Sequence, residues 1–515
     1  RNNDVNPSLR AIVRPLLLIR KGRFTYSENM RTVVPGFLPQ TELLGLSSGF
    51  EAPGWGFVAG LQPNIRGLTD EDRAAANAGN PVDNDWLYNN REWITENVFM
   101  NQDVVQEYSQ NYEGRITLEP FQDFRIELEG NLRFTENYTE SFKIFVKENN
   151  CVFEHRIPTY GGQLTVSYNA LNTLFKGSDE EILELFNTFQ DNRVEISKRL
   201  GVGEHEDPEQ AAAGYTDGFG RNQQDVLIPA FIAAYSGISP EEISLNPFDT
   251  PWKPNWRLTY NGLSKLKPFR EIFSSFNISH GYKSTFTISN YRTSLDYLAT
   301  REDPVAAGRD TIFFNFFPRI EIPDVVIQEN FAPLFAIDMQ TQNGMSFNFD
   351  YKESRSLALS VTSKLLSQTR SSEITTGFGY VMQGVYFGFL TGKKNNRGRR
   401  GNRDEEEPED PNVPQRGNQR GQNRSGGRLN TQDLDIQFNF SYRNDITLAQ
   451  KLDKEIFEPT RGAITISLSP SAEYQLNRNL SLRLFVDYRR TTPRVSTGFP
   501  RTDASGGVVV RFQLN

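Results

Sequence analysis

One cysteine and three histidines occur in 515 residues. A single thiol excludes an intrachain disulfide framework and any Cys-rich zinc or iron–sulfur site. Three histidines leave little material for a His-based metal centre. Long apolar runs are missing as well. A spanning helix needs about 20 mostly apolar residues, and the longest largely apolar stretch, Val226 to Tyr235, is interrupted by Pro229. Basic residues do not dominate: 56 Lys and Arg stand against 64 Asp and Glu, for a net charge of −8. That balance argues against nucleic acid as the main partner. Apolar residues make up 37% of the chain and mean hydropathy is −0.56, unlike a helical membrane protein. No initiator Met precedes Arg1, so the chain reads as a processed or excised piece, and a signal peptide is not judged from it.

Aromatics are abundant: 38 Phe, 19 Tyr and 5 Trp, which general disorder lacks. Length alone implies about three ordinary domains, a rule that large barrels break. With spanning helices excluded, the remaining membrane solution is a closed β-barrel, which pairs every backbone N–H and C=O in lipid. Its signature is segments of about 10 residues alternating apolar and polar side chains. Leu434, Ile436, Phe438, Phe440 and Tyr442 alternate with Asp435, Gln437, Asn439 and Ser441. Leu480, Leu482, Leu484, Val486 and Tyr488 repeat the pattern, as do Ile464, Ile466 and Leu468, and Val508, Val510, Phe512 and Leu514. Similar runs lie at 10–31, 112–119, 123–135, 138–147, 162–170, 270–280, 283–292, 344–352, 355–364 and 372–391, about 14 to 16 strand candidates in all. A soluble β-sandwich alternates in the same way. Tyr351, Tyr380, Tyr442 and Tyr488 near the expected strand ends, where an interfacial girdle would place them, favour the barrel. The expected fold is all-β: an antiparallel transmembrane β-barrel with a small helical insert and a disordered loop.

The organisation follows. Residues 1–177 read as barrel strands with an irregular Pro/Gly/aromatic segment at 35–63, packed inside or over the barrel, and 64–100 as an extramembrane loop or short helix. Residues 178–245 read as a helical extramembrane insert seated on a barrel mouth. Ser178 and Glu181 form a capping box, Ile182, Leu185, Phe186 and Phe189 follow at helical spacing, and a second helix is expected near 223–237. Residues 246–391 return to strands, 392–430 form a low-complexity loop that cannot bury enough surface to order itself, and 431–515 supply the closing strands.

Reactive groups are sparse. His155, His205 and His280 stand apart, with no second histidine at metal-ligand spacing, so HExxH-type chemistry is missing. His205 beside Glu204, Glu206 and Asp207 reads as a solvated acidic loop, and Cys151 as a buried or lumenal thiol. Gly392-Lys393 fails as a phosphate loop because Phe387 and Lys394 occupy positions that need Gly and Ser/Thr. The expectation is no catalytic residue, no metal, no cofactor and no enzyme.

Several stretches resemble the C-terminal part of the SprA (Sov) family, the outer-membrane translocon of the type 9 secretion system in Bacteroidota. They are PGFLPQTELLGL (Pro35–Leu46), APGWGFVAGLQP (Ala52–Pro63), LEPFQDFRIELEGNLRFTENYTESF (Leu118–Phe142), PNWRLTYNGLSKL (Pro254–Leu266), FSSFNISHGYKSTFTI (Phe273–Ile288), IQENFAPLFAIDMQTQNGMSFNFDYKESRSLALS (Ile327–Ser360) and NLSLRLFVDYRRTTPRVSTGFP (Asn479–Pro500). The resemblance implies a very large single-chain barrel, several times longer than this piece, in the Gram-negative outer membrane. Its lumen would pass folded cargo proteins that bear a C-terminal secretion domain, with a link to gliding motility. Implied partners are secreted cargo, a smaller PorV-like barrel at a lateral opening, a periplasmic plug protein and the lipid bilayer. One departure is the terminus, Phe512-Gln513-Leu514-Asn515, where many outer-membrane proteins end in an aromatic residue. Two other readings stand beside it: a TonB-dependent transporter of a small ligand, and a surface adhesin binding through 178–245 or 392–430.

Overall fold

The computed structural model describes residues 18–65, 85–147, 150–177, 179–297, 308–385, 432–452, 457–477, 479–495 and 498–513. The expectations for 10–17, Ser178, the 392–430 loop, Leu514 and most of the polar stretch after residue 64 fall outside these residues.

One antiparallel sheet organises the described chain. Its strands are β1 (Ile19–Val33), β2 (Val104–Phe121), β3 (Phe124–Lys147), β4 (Asn150–Ser167), β5 (Asn255–Tyr260), β6 (Phe273–Thr293), β7 (Ile320–Glu321), β8 (Asp324–Thr341), β9 (Met345–Ser360), β10 (Leu365–Val385), β11 (Gln432–Lys451), β12 (Phe457–Asn477), β13 (Leu480–Pro493) and β14 (Arg501–Phe512). Twelve lie abreast in the order β1-β2-β3-β4-β6-β8-β9-β10-β11-β12-β13-β14, with β5 between β3 and β6 and β7 beside β6. The all-β antiparallel class therefore holds. Among the described residues β1 pairs only with β2 and β14 only with β13, so the sheet is open at both edges.

The strands are longer than alternation alone indicates. β3 joins the expected segments 123–135 and 138–147, β6 joins 270–280 and 283–292, and β9 covers 344–352 together with most of 355–364. The joins were hidden because polar residues such as Glu136 and Glu353 interrupt the apolar phase there while the backbone stays paired. β8 escaped the alternation altogether. Its Pro333 sits where the register shifts between Phe331 and Phe335, a place where a missing N–H removes no ladder bond.

Helices are few: α1 (Trp55–Val58), α2 (Trp86–Asn89), α3 (Leu171–Leu174), α4 (Asp179–Leu200), α5 (Pro208–Ala212), α6 (Gln224–Ser236) and α7 (Lys267–Arg270). The two expected in the insert are α4 and α6. Glu181 accepts the Gly177 amide at 2.8 Å, one residue before the serine that the expected capping box pairs it with. α4 turns Ile182, Leu185, Phe186, Phe189 and Ile196 inward. α6 is buried on every side because it lies between α4 and the sheet, against residues such as Phe286, Ile288 and Ile327. That position explains why its sequence is apolar all round rather than striped. Gln223 accepts the amides of Asp225 and Val226 at its start, and Gly237, at φ 68°, ends it in the left-handed region.

The insert leaves from the middle of a strand position. β4 stops at Ser167, the chain makes residues 168–254, and β5 resumes the same position at Asn255. Side chains replace the ladder bonds lost at the break. Ser167 Oγ accepts the Asn131 amide at 2.9 Å, and Asn255 Oδ1 accepts the Ser284 amide at 2.7 Å. Both of these amides next to the gap thus keep a partner.

Candidate functional site

Residues directly opposite in an antiparallel pair share a face, so the registers carry each face across the sheet. One face is polar over its whole height. A single row runs Asn277, Asp338, Asn348, Gly377, Asn439 and Ser469 from β6 to β12. The row above carries Ala336, Asp350, Thr375, Ser441 and Ser467. Toward β1 the same face turns to charge. Arg20 and Arg125 bracket Glu119 at 3.1 and 3.9 Å, Arg31 meets Glu107 at 3.0 Å, and Arg115 pairs with Glu129. These pairs are exposed and contribute little to stability. Their effect is to keep the surface hydrated and of mixed sign.

The opposite face is divided. On β10 Ile374, Phe378, Tyr380 and Met382, and on β11 Leu434 to Tyr442, form an apolar band about 9 residues tall, matching a tilted membrane strand. β13 and β14 extend it with Leu484 opposite Val508 and Leu482 opposite Val510, all but Leu482 exposed. Of the expected girdle, Tyr351 and Tyr442 lie in mid-strand rather than at strand ends. Both neighbour Ile374 at the band's upper border, and Tyr380 lies at its lower side.

Above that border protein covers the face. The first row beyond Tyr351 holds Glu353, then Arg355. Arg355 and Glu329 have fully buried side chains. The guanidinium reaches Glu329 Oε2 at 2.8 Å through Nε and 2.5 Å through Nη2, and Tyr282 donates to Oε1 at 2.7 Å. Arg355 also donates to Thr173 O at 2.7 Å and Ala170 O at 3.3 Å. Arg370 donates to Lys176 O at 2.5 Å and Leu174 O at 2.9 Å. Two arginines of the sheet thereby bind carbonyls in and beside α3 and lock the insert onto the sheet. Residues 34–65 and 85–100 cover the same face beside it, burying Ile65, Leu87 and Ile94 against Tyr138 and Phe142. Both non-strand blocks therefore pack over the face that bears the band. The insert, expected on a barrel mouth, packs on this face of the sheet, where its core meets apolar residues such as Phe286 and Ile327.

His155 holds the second block. Its Nε2 lies 2.7 Å from Asp85 Oδ2 and its Nδ1 2.9 Å from Glu140 Oε2, with Tyr138 donating to Glu140 at 2.8 Å. Asp85 also caps α2. Burial pushes the imidazolium toward deprotonation, but the two carboxylates outweigh it and hold its pKa up at about 9. Three distant residues thus meet in one ion cluster, and the spacing 85, 140, 155 carried no signal of it. His280 accepts from Trp256 Nε1 at 3.2 Å through Nε2, and its Nδ1 faces Leu334 O at 2.6 Å. Neither ring is placed as a base beside a serine. His205 is buried, accepting the Asp207 amide at 3.0 Å, and does not belong to a solvated loop. Cys151 is exposed, opposite Val146 on the apolar side, and is neither buried nor on the polar face.

Compared with known proteins, the chain matches no family model and no curated sequence.

Proposed function

We propose that this chain is part of the wall of a large outer-membrane β-barrel that conducts folded proteins to the cell surface, as the resemblance to the SprA family implies. The observation that carries the reading is the unequal pair of faces: one polar throughout, the other apolar over about one membrane thickness and protein-covered beyond it. A face lined by Asn348, Gly377, Asn439 and Ser469 is no packed core, which speaks against a sandwich. Twelve strands abreast with unpaired edges also favour a wide pore. Eight strands already close around a side-chain-filled interior, whereas sixteen to eighteen leave an aqueous channel. In this reading the hydroxyls, amides and paired charges keep the lumen wet so that cargo does not adhere to it. The wall performs no reaction of its own, and the driving force comes from elsewhere. Deleting the full-length protein should abolish surface delivery of cargo bearing the C-terminal secretion domain. Normal secretion by the deletion strain overturns the proposal.

A further inference from the structure

At both of its ends the insert meets the sheet just above the border of the band, and each end carries an aromatic residue followed by a lysine. At the entry Phe175-Lys176 follows α3. Phe175 is 58% exposed and stacks on Phe331 with ring centroids 5.6 Å apart. At the exit stands Trp252-Lys253, with Trp252 51% exposed. The indole has a built seat. It lies flat over Gly130, and a Cβ at that position would come within 1.8 Å of the ring. Gly130 pairs with Gly114, which in turn pairs with Phe24, so the seat lies in one row with an exposed phenylalanine of β1 on the same face as the band. Lys253 Nζ sits 5.5 Å from the Tyr168 ring centroid, and Lys176 lies 3.6 Å from Glu184, both ends partly exposed. An amphipathic ring at the edge of an apolar surface, with an ammonium on a flexible stem beside it, has the chemistry of the membrane interface. The ring rests at headgroup level and the lysine extends toward phosphate.

We infer that the underside of the insert is a lipid-headgroup site, in which Phe175-Lys176 and Trp252-Lys253 grip phosphate-bearing lipids of the leaflet that meets the upper border of the band. The inference rests on the reading of the band as membrane-spanning. Its occupant is membrane lipid because the two pairs continue the band rather than enclose a separate cavity. The insert would then bridge wall and leaflet, and lipid would help to hold the break between β4 and β5 shut.

The test uses the full-length protein reconstituted in phosphatidylglycerol vesicles with chains brominated near the headgroup or deep in the core. The Trp252 signal is taken as wild type minus Trp252→Phe, which keeps a ring on the Gly130 seat. Phe378→Trp reports the band. Shallow bromine should quench Trp252 and deep bromine should quench the tryptophan at 378. In parallel, Lys176→Gln with Lys253→Gln should lower the phosphatidylglycerol retained through detergent extraction, about fivefold for each lysine, relative to phosphatidylcholine. Quenching at 378 with none at Trp252, or unchanged lipid retention in the double variant, overturns the inference and leaves the membrane reading standing. No quenching at either position overturns both.

Discussion

Within one strand length β9 and β10 meet two different surroundings on the same face. Below Tyr351 the side chains stand bare: Phe347, Phe378 and Phe438 are exposed with no protein over them. Above it Leu357, Leu359 and Leu366 are buried beneath the insert, and charged groups join them. The two halves follow different rules. Bare positions carry apolar side chains, as the proposed membrane requires, since lipid would supply no hydrogen-bond partner. Covered positions accept Arg355, Glu329 and Glu353: the insert brings carbonyls to Arg355, and Tyr282, Ser372 and the two arginines of the sheet satisfy the carboxylates. A buried charge thus marks where protein covers the face.

The largest way to break this contrast is Arg355→Leu. The substitution leaves Glu329 buried with only the Tyr282 hydroxyl and removes the guanidinium donors from the carbonyls of Thr173 and Ala170. A loss of about 3–5 kcal/mol is expected, read by urea unfolding from lipid vesicles, together with protease cleavage near 168–177. Replacing Glu329 by leucine as well should recover most of it, since a well-packed apolar pair can stand in for a buried ion pair. A single variant that costs no more than an exposed pair, under about 1 kcal/mol, would show that the insert is not clamped there.

Next comes Phe378→Arg in the band, compared with Ser469→Arg on the polar face a short distance away. The first should cost about 2–4 kcal/mol if the band is at the bilayer midplane, and the second close to nothing. Equal costs in the same unfolding experiment would remove the distinction between the faces, and the membrane reading with it.

Much of this was legible from alternation, and the failures are instructive. Leu434 to Tyr442 reads as a strand because an apolar and a polar face impose period two directly. The same period continues above the band, where Leu357 and Leu359 alternate with Ser356 and Ala358, so alternation does not reveal where the bare face gives way to protein cover. Helices α4 and α6 were visible as composition and caps, yet their seat on the wall was not. The residues that make it, Arg355 and Arg370 with the carbonyls of α3, are more than 180 positions apart in sequence. The His155 cluster was invisible for the same reason: its carboxylates come from a loop and from the neighbouring strand. The resemblance supplied the expectation of a translocon, and the two-faced wall is compatible with it without depending on it.

A smaller effect separates the two covering blocks. The 168–254 insert is held by guanidinium groups that stay charged at any ordinary pH, whereas the 85–100 segment is held by His155. Its pKa is about 9 in the folded chain against 6.5 for a free histidine. The cluster's contribution is therefore fully present below about pH 6.5 and is lost as pH rises through about 9. Hydrogen exchange at α2, referenced to α4, should accelerate between those limits in the native protein and show no such step in His155→Gln. A step of equal size at α4 would mean that the whole wall loosens rather than one block.

The smallest effect sharpens the border itself. Gly130→Ala places a methyl group where the Trp252 indole lies. Backbone strain is not at issue, because Gly130 lies inside β3, paired with Gly114, and alanine adopts that conformation freely. Only the ring must move, and a half-exposed ring at the end of a loop can do so at a cost of about 1 kcal/mol, at the low end for overpacking. Displaced from its seat, the indole would leave the face of the wall, and its emission should shift to the red in detergent. In vesicles the shift should be smaller if the interface offers it a second place to rest. A large, equal shift in both media would mean that Trp252 belongs to the protein cover alone and that the border between bare and covered wall lies below it.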